Sequence, residues 1–400
     1  MSEYQYYEFQ AIDRPLTEDQ MRELRSISSR AHITPTGFTN VYNFGDFKGN
    51  PARLVEKHFD AFLYLANWGT HKLTLRLPRQ ALDLEQAQCY CAGESASARV
   101  KGEFLILDFS SDDEGGDWEE GEGQLSSLIP LRADIAGGDY RALYVAWLLC
   151  AQNEESEDDA TEPPCPPGLR TLSAPLRAFA DFLRVDDDLI EAAAAGSAPL
   201  VELSLGEDFE RWVSALPDPE KTALLVDVAK ASESHVRVQL VRRFRAARES
   251  TSHSSSAAQP RRVGEILALA QKLDEERNRK EAMQRARRER EAAVARESYL
   301  DGLAEHEPDT WAKIDTLIAT KRPDDYDQAV QLLKDLSDMG LRSGRSEEIQ
   351  GRIGQLRQQH LYKQSFLRRL DRALASPQPS APLAPRPLPQ AGEGEPQSGG

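Results

Sequence analysis

The sequence predicts an α+β N-terminal domain followed by a mostly α-helical region with a long charged helix, a helical hairpin unit and a disordered tail. Three observations predict it. Aromatic and alternating apolar runs are concentrated in residues 1–150, where they favour strands. From about residue 169 apolar residues recur at three- and four-residue spacing, as along one face of a helix. From Ser376 onward Pro, Gly, Ser and Gln dominate and no aromatic residue occurs, a composition that cannot bury a core.

Within residues 1–150, Tyr4, Tyr6, Tyr7 and Phe9 form a β-type aromatic run. Thr17-Glu18-Asp19-Gln20 reads as a capping box, in which the Thr side chain accepts from the third helical amide and Gln20 reaches back. It opens a helix carrying Met21, Leu24 and Ile27. Phe38, Asn40, Tyr42 and Phe44 alternate as in a strand, and residues 45–51 form a turn. Leu54, Val55, His58, Phe59 and Phe62 have helical spacing. Leu73, Leu75 and Leu77 alternate with Lys72, Thr74 and Arg76, which predicts a half-buried strand. Phe104 to Phe109 is short and apolar enough for a buried strand, and Tyr140 to Leu149 for a core helix.

The chain of 400 residues exceeds what one core usually serves, so two or three domains are expected. The formal charge of −17 is mostly local. Asp112, Asp113, Glu114, Asp117, Glu119, Glu120 and Glu122 form one acidic run, and Glu154, Glu155, Glu157, Asp158, Asp159 and Glu162 another. Neither contains Lys or Arg, and without them the balance is −4, so net charge neither supports nor excludes a nucleic-acid partner. Such runs predict mobile loops: an acidic loop over 110–124, and an acidic, Pro-rich linker over 151–168 that ends the first domain.

A helical domain is expected over 169–248, on the spacing of Leu172, Leu176, Phe179, Leu183, Leu189 and Ile190 and on Asp218-Pro219 as a helix start. Residues 249–260 are a Ser-rich linker. A long charged helix over 261–298 follows, amphipathic to Leu273 and then held by Glu→Lys/Arg pairs four residues apart. Its heptad pattern is not sustained, which weakens the coiled-coil reading. Four apolar stripes over 299–375, led by Trp311, Tyr326, Ile349 and Phe366, form the helical unit, and 376–400 the tail.

No apolar run approaches the roughly 18 residues that cross a bilayer. The opening MSEYQYYEFQ lacks the basic and apolar regions of a secretory signal, so a cytoplasmic protein is expected, with no membrane partner. Cys89, Cys91, Cys150 and Cys165 are irregularly spaced and are expected as reduced thiols.

Two stretches resemble known families. WAKIDTLIATKRPDDYDQAVQLLKDLSDMG with LRQQHLYKQSFLRRLDRAL resembles the helical tail that follows the zinc-binding module of bacterial SWIM zinc-finger proteins. PPGLRTLSAPLRAFADFLRVDDDLI resembles a family of bacterial proteins of unassigned activity. Together they cover about a fifth of the chain. The SWIM signature pairs C-x-C with a later C-x-H. Cys89-Tyr90-Cys91 supplies the first half, whereas Cys150 and Cys165 are not followed by His at that spacing, so no zinc ligand is carried over. The resemblance implies a shared helical module and a protein partner of the SWIM zinc-finger class.

No cofactor, metal site or catalytic residue is assigned. His58, Asp60 and His71 are the densest set of acid–base residue types, but no G-x-S-x-G or H-E-x-x-H motif accompanies them. Gly45 to Gly49 with Lys48 lacks phosphate-loop spacing and reads as a turn. Arg237, Arg242, Arg243, Arg245 and Arg248 are the nucleic-acid candidates, since clustered arginines neutralise phosphates; the competing reading is the solvated face of a helix. The aromatic residues before residue 70 read first as core and second as a binding surface. Trp311, Tyr326, Leu333, Phe366 and Leu370 are the candidate partner-binding residues. The leading expectation is a non-enzymatic adaptor or scaffold acting through protein–protein contacts. A nucleic-acid-associated accessory protein is the alternative, and an enzyme built in the N-terminal domain comes third.

Overall fold

The computed structural model describes residues 4–91, 93–113, 121–200, 207–230, 240, 243–244 and 260–375. They fall into two compact units that divide between Asn278 and Arg279.

The first unit is built on a seven-stranded antiparallel sheet: β1 (Gln5–Gln10), β2 (His32–Thr34), β3 (Gly37–Tyr42), β4 (Ala61–Ala66), β5 (Thr70–Pro78), β6 (Ala96–Lys101) and β7 (Phe104–Asp112). Their order across the sheet is β2-β3-β1-β4-β5-β7-β6. Alternation sends successive side chains to opposite faces, and both faces bury apolar residues. Tyr7, Phe9, Phe38 and Phe62 face α1 (Glu18–Ile27) and α2 (Pro51–Lys57), which contribute Leu24, Leu54 and Val55. The expected capping box is present: Gln20 N–H donates to Thr17 Oγ1, and Thr17 N–H donates to the Gln20 side chain.

The other face is larger. Tyr6, Leu63, Leu65, Leu73, Leu75, Leu77, Leu105, Leu107 and Phe109 pack beneath α3 (Leu84–Gln88), α4 (Gln124–Leu128), α5 (Pro130–Ala136), α6 (Arg141–Gln152), α7 (Ala174–Leu183) and α8 (Asp187–Ala194). Almost all of α6 is buried, as its apolar sequence predicts.

Three expectations are corrected here. The helical spacing at Leu54–Phe62 runs across two elements: α2 ends at Lys57 and AFLYLA is the central strand β4. A short apolar run buried on both faces has no periodicity that separates strand from helix. Strand β5 is buried on both faces, because Arg76 lies against Asp60 instead of solvent. Residues 151–168 do not separate two cores, since α7 and α8 share the core of α6 and the sheet.

The second acidic run is correspondingly structural. Glu155 accepts from the backbone N–H and hydroxyl of Ser95. Glu162 accepts from Tyr144 Oη at 2.5 Å and from Arg261 Nη2 at 2.7 Å and Nε at 2.8 Å. Burial alone pushes the Glu162 carboxyl up, but the Arg261 and Tyr144 bonds outweigh it and leave it below the ordinary range. This clasp docks the start of the long helix, whose Val263, Ile266 and Ala270 join the same core. Of the first acidic run, residues 114–120 lie outside the described residues.

Helices α9 (Glu207–Ala215) and α10 (Asp218–Lys230) precede the long helix α11 (Val263–Glu305). Residues 281–290 of α11 are all exposed. The second unit adds α12 (Glu307–Ala319), α13 (Pro323–Arg342), α14 (Ser346–Gln359) and α15 (Gln364–Ala375), one helix for each apolar stripe. Its core includes Leu300, Leu303, Trp311, Leu333, Ile353 and Phe366. The expected tail, 376–400, lies outside the described residues.

Candidate functional site

One end of the sheet carries two exposed aromatic side chains on fixed backbone. Gln5 of β1 pairs with Tyr42 of β3 on one side and with Ala66 of β4 on the other. Two residues beyond each partner stand Phe44 and Trp68, 78% and 45% exposed. Two strand spacings separate β3 from β4, so Tyr42 and Ala66 are roughly 10 Å apart. Soluble surfaces carry isolated apolar residues without significance, but two large exposed aromatics at one end of a sheet mark a candidate contact surface.

The supports of this surface are polar and buried. Gln5, 2% exposed, donates from Nε2 to the Gly45 carbonyl and to Asp46 Oδ1, which holds the loop bearing Phe44. Its Oε1 accepts from Tyr7 Oη at 2.7 Å and Tyr64 Oη at 3.2 Å. The turn bearing Trp68 is held from three sides: Tyr4 N–H donates to Asn67 Oδ1, Asp113 N–H donates to the Gly69 carbonyl, and Arg184 Nη1 donates to that carbonyl at 2.7 Å. Gly69 has φ +99°, and a Cβ there would lie 1.7 Å from the Asp113 carbonyl oxygen, so the turn requires glycine.

The same end is acidic. Asp46, Asp112, Asp113 and Glu122 are exposed there. Asp112 closes β7 opposite Thr70, and Gly121 N–H donates to Tyr4 Oη. The described residues on both sides of 114–120 are therefore anchored beside Trp68 and Tyr4, and residues 112–122 hold seven acids without a Lys or Arg. Lys48 and Lys72 are the exposed basic residues nearest in sequence.

The acid–base residue set is dispersed. Asp60 is buried and saturated: Oδ2 accepts from the Ile12 and Asp13 amides, and Oδ1 from Arg76 Nε and Nη2. His58 lies on the α1 side, its Nε2 3.4 Å from Glu23 Oε2, and burial pushes its pKa down against the pull of Glu23. His71 lies on the opposite face, stacked on Phe182 at 4.9 Å. Its Nδ1 donates to the Phe182 carbonyl at 2.7 Å, which leaves Nε2 to accept from Arg184 at 3.0 Å. The sheet separates the two imidazoles.

Three of the four cysteines are placed for inertness. Burial pushes the Cys91 thiol well up, the Cys150 thiol up to about 12 and the Cys165 thiol up to about 11, so little thiolate forms near neutral pH. Cys89 is exposed. Among the described residues no group of three His, Cys, Asp or Glu side chains is placed to hold a metal ion.

Of the arginine cluster, Arg237, Arg242, Arg245 and Arg248 lie outside the described residues; Arg243 is exposed and 2.5 Å from Glu220. Trp311, Tyr326, Leu333, Phe366 and Leu370 are all buried in the second unit, which corrects their assignment as contact residues. Helical apolar spacing marks the stripe a helix turns inward. Beyond α11, the large apolar residues exposed among the described residues of that unit are Leu341, Leu361 and Tyr362, the last 98% exposed in the turn between α14 and α15. Sequence reasoning named the aromatic residues before 70 without separating core from surface. The signal that separates them is the adjacent glycine: Phe44 and Trp68 stand beside Gly45 and Gly69, and β3 ends at Tyr42, short of the Phe44 that the alternation had included.

No family model, curated protein or solved structure matches the chain. No helix among the described residues is long and apolar enough to cross a membrane.

Proposed function

We propose that the chain is a non-enzymatic adaptor that binds a protein partner at the Phe44–Trp68 end of the sheet. The observation that carries this reading is the pairing of exposed aromatic side chains with buried polar groups that fix their backbone. Rigid aromatic anchors lose little entropy on binding and dominate interface energetics. Asp60 and His71 are occupied in structural hydrogen bonds, and the sheet separates His58 from His71, which favours binding over catalysis. The second unit supplies a further contact through Leu361 and Tyr362, and the SWIM-tail resemblance supports a partner of that class. The test is capture from the native host with tagged full-length chain, with and without nuclease. A partner retained by wild type after nuclease and lost from the F44A/W68A variant supports the adaptor. Equal capture by both removes the sheet end from the reading.

A second reading, contact with nucleic acid, is favoured by α11. Its residues 279–296 carry seven basic and three acidic side chains, nearly all exposed. Clustered exposed cations on a helix are a phosphate-neutralising arrangement. Capture that nuclease abolishes, and that weakens when Arg285, Arg288 and Arg290 become Ala, supports it.

A further inference from the structure

We infer that the partner segment seated at the Phe44–Trp68 end of the sheet is rich in Lys or Arg. The inference rests on reading that end as a protein-binding surface and adds the chemistry of what it takes. Phe44 and Trp68 offer aromatic faces, on which guanidinium groups and the apolar stems of long basic side chains stack. The surrounding charge has one sign in excess. Asp46, Asp112, Asp113 and Glu122 are exposed at this end, where Asp113 N–H donates to the Gly69 carbonyl and Gly121 N–H donates to Tyr4 Oη. An acidic, neutral or nucleic-acid partner meets either repulsion or uncompensated desolvation of these carboxylates, whereas a cationic segment neutralises them. Aromatics and acids have separate tasks: the rings supply contact area, and the carboxylates supply choice of partner and fast encounter.

Arg184, the basic side chain at the Trp68 turn, donates to the Gly69 carbonyl and to His71. Glu8, on the neighbouring strand, is kept partly out of play: burial pushes its carboxyl up, and Tyr6 Oη donates to it at 3.0 Å. The exposed acids therefore carry the attraction.

The test uses full-length protein and a fluorescein-labelled Arg-Leu repeat peptide, with its Gln-Leu counterpart as control, read by fluorescence anisotropy. The Arg peptide is expected to bind about tenfold more tightly than the Gln peptide, and about tenfold more weakly when salt rises from about 0.05 to 0.5 M. The D46N/D112N/D113N/E122Q variant loses the preference for the Arg peptide, and F44A/W68A weakens both peptides about tenfold. All substituted side chains are exposed, so unchanged circular dichroism checks the fold. Loss of binding in F44A/W68A with the acid variant unchanged leaves the surface reading standing and overturns the cationic partner. Equal binding of the two peptides, or Arg-peptide binding indifferent to both variants, also overturns it. Sedimentation that reveals a dimer dissolved by the acid variant makes the occupant a second copy, through its basic α11 residues, and overturns a separate partner.

Discussion

Arg76 Nη2 lies 2.7 Å from Asp60 Oδ1 inside the sheet, at the end opposite Phe44 and Trp68. Both side chains are buried, the guanidinium stacks on the Phe104 ring at 4.3 Å, and Arg132 Nε donates to the Arg76 carbonyl. This pair ties the loop before β4, the centre of β5 and the segment Ile12–Asp13 into one unit. Removing either partner leaves a buried charge without its close counter-ion, Arg132 Nη2 standing 3.9 Å from Asp60 Oδ1. We predict that Asp60→Ala or Arg76→Ala destabilises the first unit by about 3–5 kcal/mol, measured by chemical denaturation. A loss below about 1 kcal/mol would mean that the pair behaves as a solvent-screened bridge.

Acid weakens the fold in two separate windows. The folded pKa of His58 lies below its ordinary 6.5, so the unfolded chain binds more protons between the two values and stability falls as pH drops below 6.5. The folded pKa of Glu162 lies below its ordinary 4.5, so its contribution is complete above that value and is lost as pH falls through the folded pKa. His58→Gln should flatten the upper part of the stability–pH curve and Glu162→Gln the lower part, as followed by urea denaturation at stepped pH. An NMR titration of the His58 ring with a midpoint above 6.5 would reverse the first sign.

In the second unit, the stripe residues carry stability and the turn carries surface. Leu333→Ala should cost about 2–5 kcal/mol through the cavity it leaves, whereas Tyr362→Ala should change stability by less than about 0.5 kcal/mol. Thermal melts of the two variants check this. The same pair separates folding from contact in capture experiments, because only the Tyr362 variant retains a native unit.

Thiol chemistry should follow burial. Cys89 should alkylate quickly with iodoacetamide at neutral pH, Cys165 slowly, and Cys91 and Cys150 only on unfolding. Mass spectrometry of time points assigns each site. Fast labelling of Cys150 would show that the loop around Ser95 and Glu155 opens readily.

Where local chemistry decides, the sequence was legible. The Thr17–Gln20 capping box and the apolar α6 each carry their own signal and form as expected, and the alternating leucines of β5 do form a strand, although both of its faces are buried. The candidate site was only half legible, because an aromatic residue reads the same whether it faces a core or solvent. Phe9 and Phe44 are the same residue type, yet one is buried and the other mostly exposed. Register against Gln5 is what brings Phe44 and Trp68 to the same end of the sheet, and register is a property of paired strands.

By itself the sequence determined the class of fold, the long charged helix and the four apolar stripes over 299–375, since each follows from spacing over a few turns or strand residues. Only the tertiary structure decided that AFLYLA is a central strand, that residues 151–168 run within one core, and that Glu155 and Glu162 are internal bonding partners. It also decided that His58 and His71 lie on opposite faces of the sheet. The physical reason is shared: a charge or a short apolar run takes its role from groups distant in the chain, and Arg261 reaches Glu162 across 99 residues.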